Sequence, residues 1–269
     1  CKFMDASQNT DTVTVTYETP GGEEIITCDY LIGSDGSRSA VRKTQDIEFE
    51  GFTYPEQFVT VSVTDDIDQI VKDMGHVCYI AHPTEWCALI HAPDYWRFLF
   101  PISMEMTKEQ AFEEGFLQGR LQHLAPYDGD FKIELKTLYG VNQRVAKTYR
   151  KGRILLAGDS AHVNNPLGGM GMNGGIHDGI NLAKKFVRIY QDHESDDLLD
   201  QYDRQRRPIA IEYVQAQTIR NKKNLEETDP EVRKQRQGDL RAVAADVEKS
   251  REMLLQTSMI NGLEKSEAI

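Results

Sequence analysis

An acidic residue and a glycine-rich segment lie close together in the second half of the chain. Asp159 follows Gly158 directly after the apolar run at residues 154–157, and a glycine-rich loop at residues 166–175 comes shortly afterwards. An ionised carboxylate can only accept hydrogen bonds, so Asp159 suits a hydroxyl group of a ligand. Glycines leave the backbone bare, so a flat or phosphorylated ligand can approach it closely. The pattern predicts a ligand site.

A buried strand and a helix must position these residues. Residues 154–157 (Ile-Leu-Leu-Ala) are typical of a buried strand in an α/β sheet, and Gly158 with Asp159 ends it. Beyond the loop, apolar residues recur at helical spacing: Ile176, Ile180, Ala183 and Val187, with Leu182 and Phe186 beside them. The first N–H groups of a helix are unpaired and favour negative charge. We therefore expect a strand, a loop to Gly175 and a helix start that together hold a ligand.

A second acidic turn lies near the start of the chain. Residues 30–33 (Tyr-Leu-Ile-Gly) form another short buried strand, and Asp35-Gly36 follows it. An Asp-Gly turn after a strand is common, so a purely structural role for Asp35 stays open. Arg42 and Arg97 could meet a phosphate or a carboxylate, and pairing on a surface or a sheet is at least as common.

Other chemistry finds little support in the sequence. His162 and His177 are interpreted as structural, because no other ligands stand at metal-binding spacing. No Ser-His-Asp or Cys-His arrangement and no paired carboxylates suggest hydrolysis. The formal net charge of −12 makes a nucleic-acid surface unfavourable.

Nothing in the sequence points to a membrane or to secretion. No apolar run approaches the roughly 18 residues that span a bilayer, and no basic stretch followed by an apolar one stands at the start. The four cysteines form no CxxC pair. This pattern fits thiols of the reducing cytoplasm, which is the expected localisation.

The chain divides into four predicted parts: 1–45, 46–148, 149–195 and 196–269. Residues 12–28 alternate and turn at Pro20, which predicts a hairpin. Residues 46–148 carry short strands between Pro, Asp and Gly turns and predict an antiparallel sheet, with some side chains lining an apolar or aromatic pocket. Residues 196–269 are highly charged and predicted helical, and they are compatible with a homodimer.

The two acidic motifs resemble those of the FAD-dependent aromatic hydroxylases, the class A flavoprotein monooxygenases with the p-hydroxybenzoate hydroxylase fold. Residues 30–42 (YLIGSDGSRSAVR) are similar to the family's Asp-Gly motif. Residues 152–175 (GRILLAGDSAHVNNPLGGMGMNGG) are similar to its longer and more specific Gly-Asp motif. The resemblance implies an α/β fold: an FAD-binding Rossmann-like domain, N-terminally truncated, with an inserted antiparallel β-sheet substrate domain at 46–148 and C-terminal helices.

One family motif has no counterpart in the sequence. The GxGxxG turn that holds the ADP part of FAD should precede Asp35, and it does not. Residues 169–174 spell GxGxxG, but they follow their strand only after a full loop, and no acid some 20 residues on ends a following strand. We interpret them as the flavin-ring loop. We expect the chain to be a fragment, with a βαβ unit carrying GxGxxG upstream of Cys1.

The resemblance assigns roles residue by residue. Asp159 would accept a hydrogen bond from a ribityl hydroxyl of FAD, unless it only caps a turn, and Asp35 with Gly36 would lie near the pyrophosphate and take part in nicotinamide binding. Pro166 would lie by the flavin, where members of the family use the preceding loop to place the substrate ring. The backbone N–H groups at 171–173 would face the pyrimidine end of the flavin, where the reduced ring gains negative charge. The expected cofactor-binding residues are Asp35, Gly36, Gly158, Asp159, Pro166, Gly168, Gly169, Gly171, Met172 and Asn173, and the expected catalytic residues are Pro166 and Gly171.

The implied function is hydroxylation of a phenol-like aromatic substrate. NADH or NADPH would reduce FAD, O₂ would add to give a flavin hydroperoxide, and the protein would exclude water and hold the ring. Two alternatives stay open: a flavin oxidoreductase on the same scaffold that does not hydroxylate, and a truncated chain without catalytic activity.

Overall fold

The computed structural model describes residues 1–72 and 74–269, which form two compact units. Unit 1 comprises Cys1–Phe52, Asn142–Ile219 and Ser250–Ile269, and unit 2 comprises Thr53–Val141 and Arg220–Lys249. The strands are β1 (Lys2–Gln8), β2 (Val13–Thr19), β3 (Gly22–Cys28), β4 (Leu31–Gly33), β5 (Phe49–Val63), β6 (Val77–Ile80), β7 (Cys87–Ala92), β8 (Tyr95–Ser103), β9 (Ile133–Ala146), β10 (Arg150–Lys151), β11 (Ile154–Leu156) and β12 (His162–Val163). The helices are α1 (Ala40–Thr44), α2 (Ile67–Ile70), α3 (Lys108–Ala111), α4 (Glu114–Leu124), α5 (Met170–Gln191), α6 (Leu198–Ile209), α7 (Ala216–Leu225), α8 (Pro230–Ala244), α9 (Val247–Thr257) and α10 (Ile260–Glu267), with a π-helical segment, Ala210–Gln215, between α6 and α7.

Unit 1 contains an antiparallel sheet in the order β1-β2-β3 and a second sheet in the order β10-β11-β4. The predicted hairpin is β2 and β3, in which Val15 pairs with Ile26. Strand β1 is not predicted, because Ala6 is its single buried residue. In the second sheet β11 runs parallel to β4, so the two predicted strands are neighbours. The prediction that the first of them is buried is wrong, because Leu31 is half-buried and Ile32 is 44% exposed.

The core of unit 1 packs the second sheet against helices. Ile154, Leu155 and Leu156 are fully buried, which agrees with the apolar run in the sequence. Tyr202 of α6 is also fully buried, and its hydroxyl donates to the Leu156 carbonyl at 2.7 Å. The helix therefore fixes the carboxyl end of β11, where the ligand site is expected.

Helix α5 begins earlier than the sequence predicts. The loop expected to reach Gly175 ends at Gly169, which caps the helix in the left-handed region at φ 64°. The prediction that residues 170–175 belong to the loop is wrong, because they form the start of α5. Glycine also adopts helical dihedrals, and positions without a side chain let the helix pack close to its neighbours. The helical period at Ile176 and Ile180 is correct, yet these side chains are half exposed, and Leu182 is the buried one.

Unit 2 is built on an antiparallel sheet in the order β9-β5-β8-β7-β6. Its register pairs Val61 of β5 with Phe98 of β8. One face, including Phe98, packs against Leu117 and Leu121 of α4, and all of these side chains are buried. The antiparallel sheet predicted within 46–148 is confirmed.

The C-terminal helices do not stay together as one segment. Residues 220–249 belong to unit 2, and the rest of the predicted helical part belongs to unit 1. Helix α8 begins as its sequence indicates, because Asp229 accepts from Glu231 N–H and Pro230 occupies the first helical position. Across the described residues, no helix has both the length and the apolar character needed to cross a membrane.

Candidate functional site

The two acidic motifs meet at one edge of the second sheet of unit 1. Gly33 at the end of β4 pairs with Leu156 at the end of β11, and Ala157 N–H donates to the Gly33 carbonyl at 3.0 Å. Because the strands are parallel, both turns leave the sheet on the same side, where ligands of open α/β sheets bind. A cavity of about 730 Å³ opens there. It is lined by Ile32, Ser34, Gly36, Ala157, Gly158, Asp159, Gly175, Gly179, Leu182, Ala183 and Phe186.

Asp159 is the acidic residue of this cavity whose carboxylate is unengaged. It is exposed, and it forms no side-chain hydrogen bond or ion pair with any residue that the structure describes. An ionised carboxylate held on a turn at the wall of a cavity is placed to accept a hydrogen bond from a ligand hydroxyl.

Asp35 has a different role in the local structure. Its carboxylate accepts hydrogen bonds from the Ser39 hydroxyl, from Ala40 N–H at 2.6 Å and from Val41 N–H at 3.2 Å. These groups lie at the start of α1, so the side chain satisfies donors that the first helical turn leaves unpaired. The capping role that the sequence left open is therefore present, and Gly36, not Asp35, lines the cavity.

Gly158 and Gly175 bring the turn and α5 into backbone contact. Gly158 lies in the left-handed region at φ 65°, which favours glycine. A Cβ on Gly175 would lie 3.1 Å from the Gly158 Cα. This approach leaves one wall of the cavity formed by bare backbone, as the glycine-rich sequence predicts.

The start of α5 presents backbone N–H groups. Gly171 and Met172 lie in the first turn, where N–H groups have no intrahelical acceptor. Asn173 is one residue further on, and its side-chain amide donates to the Gly169 carbonyl at 2.9 Å. Of the segment at 171–173, the first two residues therefore offer free backbone donors, and Asn173 closes the turn.

The buried side chain and backbone of Asn165 support the loop before α5. Asn165 is fully buried; its backbone N–H donates to Gln143 Oε1 at 3.0 Å, and its side-chain oxygen accepts from Leu167 N–H at 3.1 Å. A tight turn follows, in which Gly169 N–H donates to the Pro166 carbonyl at 3.1 Å. Pro166, Gly168, Gly169, Gly171, Met172 and Asn173 are thus on a supported loop and helix start, but none of them lines the 730 Å³ cavity.

A buried ion network supports the Gly158 turn from within the core. Asp178 of α5 accepts from Gly158 N–H at 3.1 Å, lies 2.9 Å from His162 Nε2 and accepts from Arg206 Nε at 2.8 Å. Asp178, His162 and Arg206 are all buried. Burial alone raises the pKa of a carboxyl group, but His162 and Arg206 outweigh it, so the pKa of Asp178 is lowered. His162 is therefore structural, as interpreted from the sequence, and no group of acidic, histidine or cysteine side chains suited to a metal occurs in the described part of the chain.

The two arginines considered from the sequence form structural pairs. Arg42 is buried, and its guanidinium donates to the carbonyls of Ser160 at 2.8 Å and Ser37 at 2.9 Å. In unit 2, Arg97 donates to Tyr95 Oη at 2.8 Å. Neither set of hydrogen bonds could be predicted from the sequence, because each acceptor is a backbone or hydroxyl oxygen and no pattern of charged residues indicates it.

Comparison with known proteins agrees with this geometry. The family model described as "FAD binding domain" matches residues 3–217. The chain is 27% identical over 266 residues to the para-nitrophenol 4-monooxygenase of Pseudomonas sp. strain WBC-3, covering 97% of the chain and 65% of that protein. It is 35% identical over 208 residues to the 3-(3-hydroxy-phenyl)propionate/3-hydroxycinnamic acid hydroxylase of Escherichia coli O81 strain ED1a, covering 76% of the chain and 36% of that protein.

A solved structure is similar over nearly the whole chain. The crystal structure of p-nitrophenol 4-monooxygenase PnpA from Pseudomonas putida DLL-E4 superposes with a TM-score of 0.90 at 27% identity, covering 97% of this chain and 66% of that one. The chain thus spans slightly less than two thirds of the two nitrophenol enzymes, and a smaller share of the hydroxyphenylpropionate enzyme.

Proposed function

Because the chain belongs to the FAD binding domain family, we propose that it forms part of an FAD-dependent monooxygenase that hydroxylates a phenol-like aromatic substrate with NADH or NADPH and O₂. The observation that carries the proposal is the unengaged Asp159 carboxylate at the wall of a glycine-lined cavity, beyond the carboxyl ends of two parallel strands. The relatives named above are a monooxygenase of para-nitrophenol and a hydroxylase of hydroxyphenyl compounds, which supports a phenolic substrate.

The walls of the cavity suit a flavin nucleotide, and the backbone donors at the start of α5 lie outside its lining. Its walls at Gly36, Gly158 and Gly175 carry no side chains, and Leu182 with Phe186 adds an apolar surface for a flat ring. In the proposal Asp159 accepts a hydrogen bond from a ribityl hydroxyl, and Gly36 approaches the pyrophosphate. The Asp35 carboxylate holds the turn at Gly36 against the start of α1. Gly171 and Met172 offer backbone N–H groups to the electron-rich edge of the ring.

The division of labour follows from these contacts. FAD, when bound and reduced, supplies the activation of O₂ and the transfer of one oxygen atom to the ring. The chain's own residues bind and orient: Asp159 fixes the polar side chain of the cofactor, and Pro166 with Gly168 and Gly169 shapes the loop at which the substrate is placed. The roles of Pro166 and Gly171 in catalysis are positional, since neither side chain can carry a proton.

Flavin titration of the purified chain tests the proposal. We expect added FAD to bind, with quenched fluorescence and a shifted absorbance band, and we expect the Asp159→Ala variant to bind more weakly. In the complete enzyme, a phenol should then stimulate NAD(P)H oxidation and yield a hydroxylated product. NAD(P)H oxidation that ignores every phenol would instead favour a non-hydroxylating oxidoreductase, and a complete protein that binds no FAD would favour a protein without catalytic activity.

Two further aspects belong to the proposal. All four cysteines are free thiols, which supports the cytoplasm as the compartment. Helix α9 exposes Val247 (80%) and Leu254 (66%), which supports a homodimer through C-terminal helices. Sedimentation of the wild-type chain beside a Leu254→Glu variant would test the dimer, because only a contact at α9 predicts that the variant becomes monomeric.

A further inference from the structure

A second cavity of unit 1 lies on a different flank of α5 from the cofactor cavity. It measures about 340 Å³ and opens between α5, α6 and α10. The two cavities share no lining residue. The second one is lined by His177, Ile180, Asn181, Lys184, Lys185, Arg188, Gln201, Gln205, Arg206, Leu263, Ser266 and Glu267. Its walls therefore carry more basic than acidic side chains, in a chain whose formal net charge is −12.

Lys185 is the buried cation of this cavity. Lys185 is 5% exposed, and its Nζ donates to Gln205 Oε1 at 2.6 Å. The same oxygen also accepts from the Asn181 side-chain amide at 3.0 Å. No carboxylate within the described residues pairs with Lys185, so an ammonium group with three donors meets a single, shared, neutral acceptor.

The chain offers its own comparison for such a lysine. Lys222 of unit 2 is as deeply buried, at 6% exposure, but its Nζ lies 2.8 Å from Glu56 Oε1 and also pairs with Glu226. Burial alone would lower the pKa of Lys222. The two carboxylates outweigh burial, so the pKa of Lys222 is raised. For Lys185, burial is the largest cause of a lowered pKa, and together with the neighbouring charges of Arg188, Lys184 and Arg206 it brings the pKa to about 8. A buried cation is ordinarily paired, and Lys185 lacks the counter-charge that Lys222 has.

The charges facing Lys185 can be followed element by element. On α5, Arg188 is paired with Glu194, and Lys184 has no partner among the described residues. On α6, Arg206 is paired with Asp178. On α10, Glu267 is the acidic lining residue. Lys184 and Lys185 therefore form no ion pair with any described residue, and Glu267 is the single carboxylate against which their two charges stand in the lining.

Ser266 of α10 adds an unused hydroxyl. The residue is 2% exposed and lines the cavity, and its hydroxyl makes no hydrogen bond to any residue that the structure describes. A hydroxyl that no protein group engages at the wall of the cavity can donate a hydrogen bond to an anion bound there.

We propose that the cavity between α5, α6 and α10 binds a small phosphate-bearing anion, held by Lys185, Lys184 and Ser266. A phosphate group offers several oxygen acceptors, which matches donors that come from two helices, and lysine binds phosphate as a point charge. The site is independent of the proposed flavin chemistry.

Calorimetric titration with pyrophosphate at constant ionic strength tests the site. We expect binding to the wild-type chain and a loss of about tenfold or more in affinity for Lys185→Met. Gln205→Glu is the sharper variant, because it supplies the missing carboxylate while Lys185, Lys184 and Ser266 all stay in place, and we expect a similar loss. Lys147→Met is the matched control, since that lysine is 58% exposed and pairs with Glu48 outside the cavity, and its binding should equal that of the wild type.

Proton uptake provides a second readout that a general charge effect would not give. At about pH 8 the Lys185 ammonium is half protonated, so an anion bound beside it draws a proton into the site. Burial lowers the pKa of His177 from its ordinary value of 6.5, so this histidine is neutral there and does not add to the uptake. We expect titrations in buffers of different ionisation enthalpy to show uptake in the wild type and none in Gln205→Glu. Absent pyrophosphate binding, or binding that Gln205→Glu leaves unchanged, would overturn the proposal.

Discussion

The guanidinium of Arg42 donates to the carbonyl of Ser160 at 2.8 Å, and the two residues lie 118 positions apart. Arg42 belongs to the Asp-Gly motif and Ser160 to the Gly-Asp motif. Ser160 adds a second link, because its hydroxyl bonds the Gly33 carbonyl at the end of β4. The two halves of the proposed cofactor site are therefore joined by buried hydrogen bonds as well as by the strand pair.

Replacing Asp159 by alanine should weaken FAD binding and leave the fold unchanged. The carboxylate is exposed and forms no hydrogen bond or ion pair with any described residue, so its removal leaves no buried group unpaired. A hydrogen bond to a charged acceptor is worth about 1.5–3 kcal/mol, or roughly ten- to a hundredfold in Kd. Fluorescence titration with FAD measures the change, and Asp5→Ala, at another exposed aspartate of unit 1, is the control. Equal FAD affinity in Asp159→Ala and wild type would remove Asp159 from the site.

Replacing Gly175 by alanine should displace the Gly158 turn. The new Cβ would lie 3.1 Å from the Gly158 Cα, and a backbone atom cannot rotate away. Overpacking costs about 1–3 kcal/mol, which exceeds the gain of about 1 kcal/mol or less from alanine in a helix. We expect a lower free energy of unfolding and weaker FAD binding. Gly238→Ala in α8, whose Cβ would meet no atom within 4 Å, should be slightly stabilised when both are measured by urea denaturation.

Replacing Asp178 by asparagine should destabilise unit 1 strongly. The change leaves Arg206 buried without its counter-charge, and breaking a buried pair from one side costs about 3–5 kcal/mol. Asp192→Asn, at the exposed end of α5, is the control and should behave like the wild type.

The same carboxylate gives stability a defined dependence on pH. The pKa of Asp178 is lower in the folded chain than in the unfolded one, where it is about 3.9. Its contribution is therefore complete above about pH 4 and is lost as the pH falls through the folded value. Denaturation between acid and neutral pH should show this loss in the wild type and a smaller one in Asp178→Asn. Parallel curves would show that Asp178 is not ionised in the core.

Replacing Lys185 by methionine should stabilise the chain at neutral pH. The folded pKa is about 8 and the unfolded value about 10.4, so between them the unfolded state binds more protons. Wild-type stability should accordingly rise from about pH 8 to 10.4, by at most about 3 kcal/mol, and the variant should be flat in that window. Urea denaturation at several pH values checks this, with Lys147→Met as the exposed control. A variant less stable than the wild type at pH 7 would mean that the ammonium is already paired.

Much of the site's frame could be predicted from local pattern. The apolar run at 154–157, the glycines after it and the Asp-Gly turn each express a local requirement of strand, loop or turn. Their meeting at one sheet edge follows from the parallel pairing of β4 with β11. The limits of α5 were less predictable, because a glycine-rich segment is compatible with both loop and helix, and contacts with Gly158 and His162 decide in favour of the helix.

The supporting polar groups could not be predicted in the same way. Asp178 lies in a helix where its spacing suggests nothing more than a polar position, and its three partners come from the turn, the following strand and α6. Gln143 and Asn165 are equally silent in the sequence. Long-range partners of single polar residues leave no periodic signal, so the structure alone shows them.

The parallel pairing of β4 with β11 also has a consequence for the order of folding. The β1-β2-β3 hairpins close through short connections and can form as soon as residues 1–28 are made. The β4–β11 ladder joins segments on either side of the whole stretch that contributes most of unit 2, so its loop-closure entropy is large and its formation is late. During synthesis, the β4–β11 ladder cannot form until residue 156 has left the ribosome, and the proposed flavin pocket is among the last features to mature.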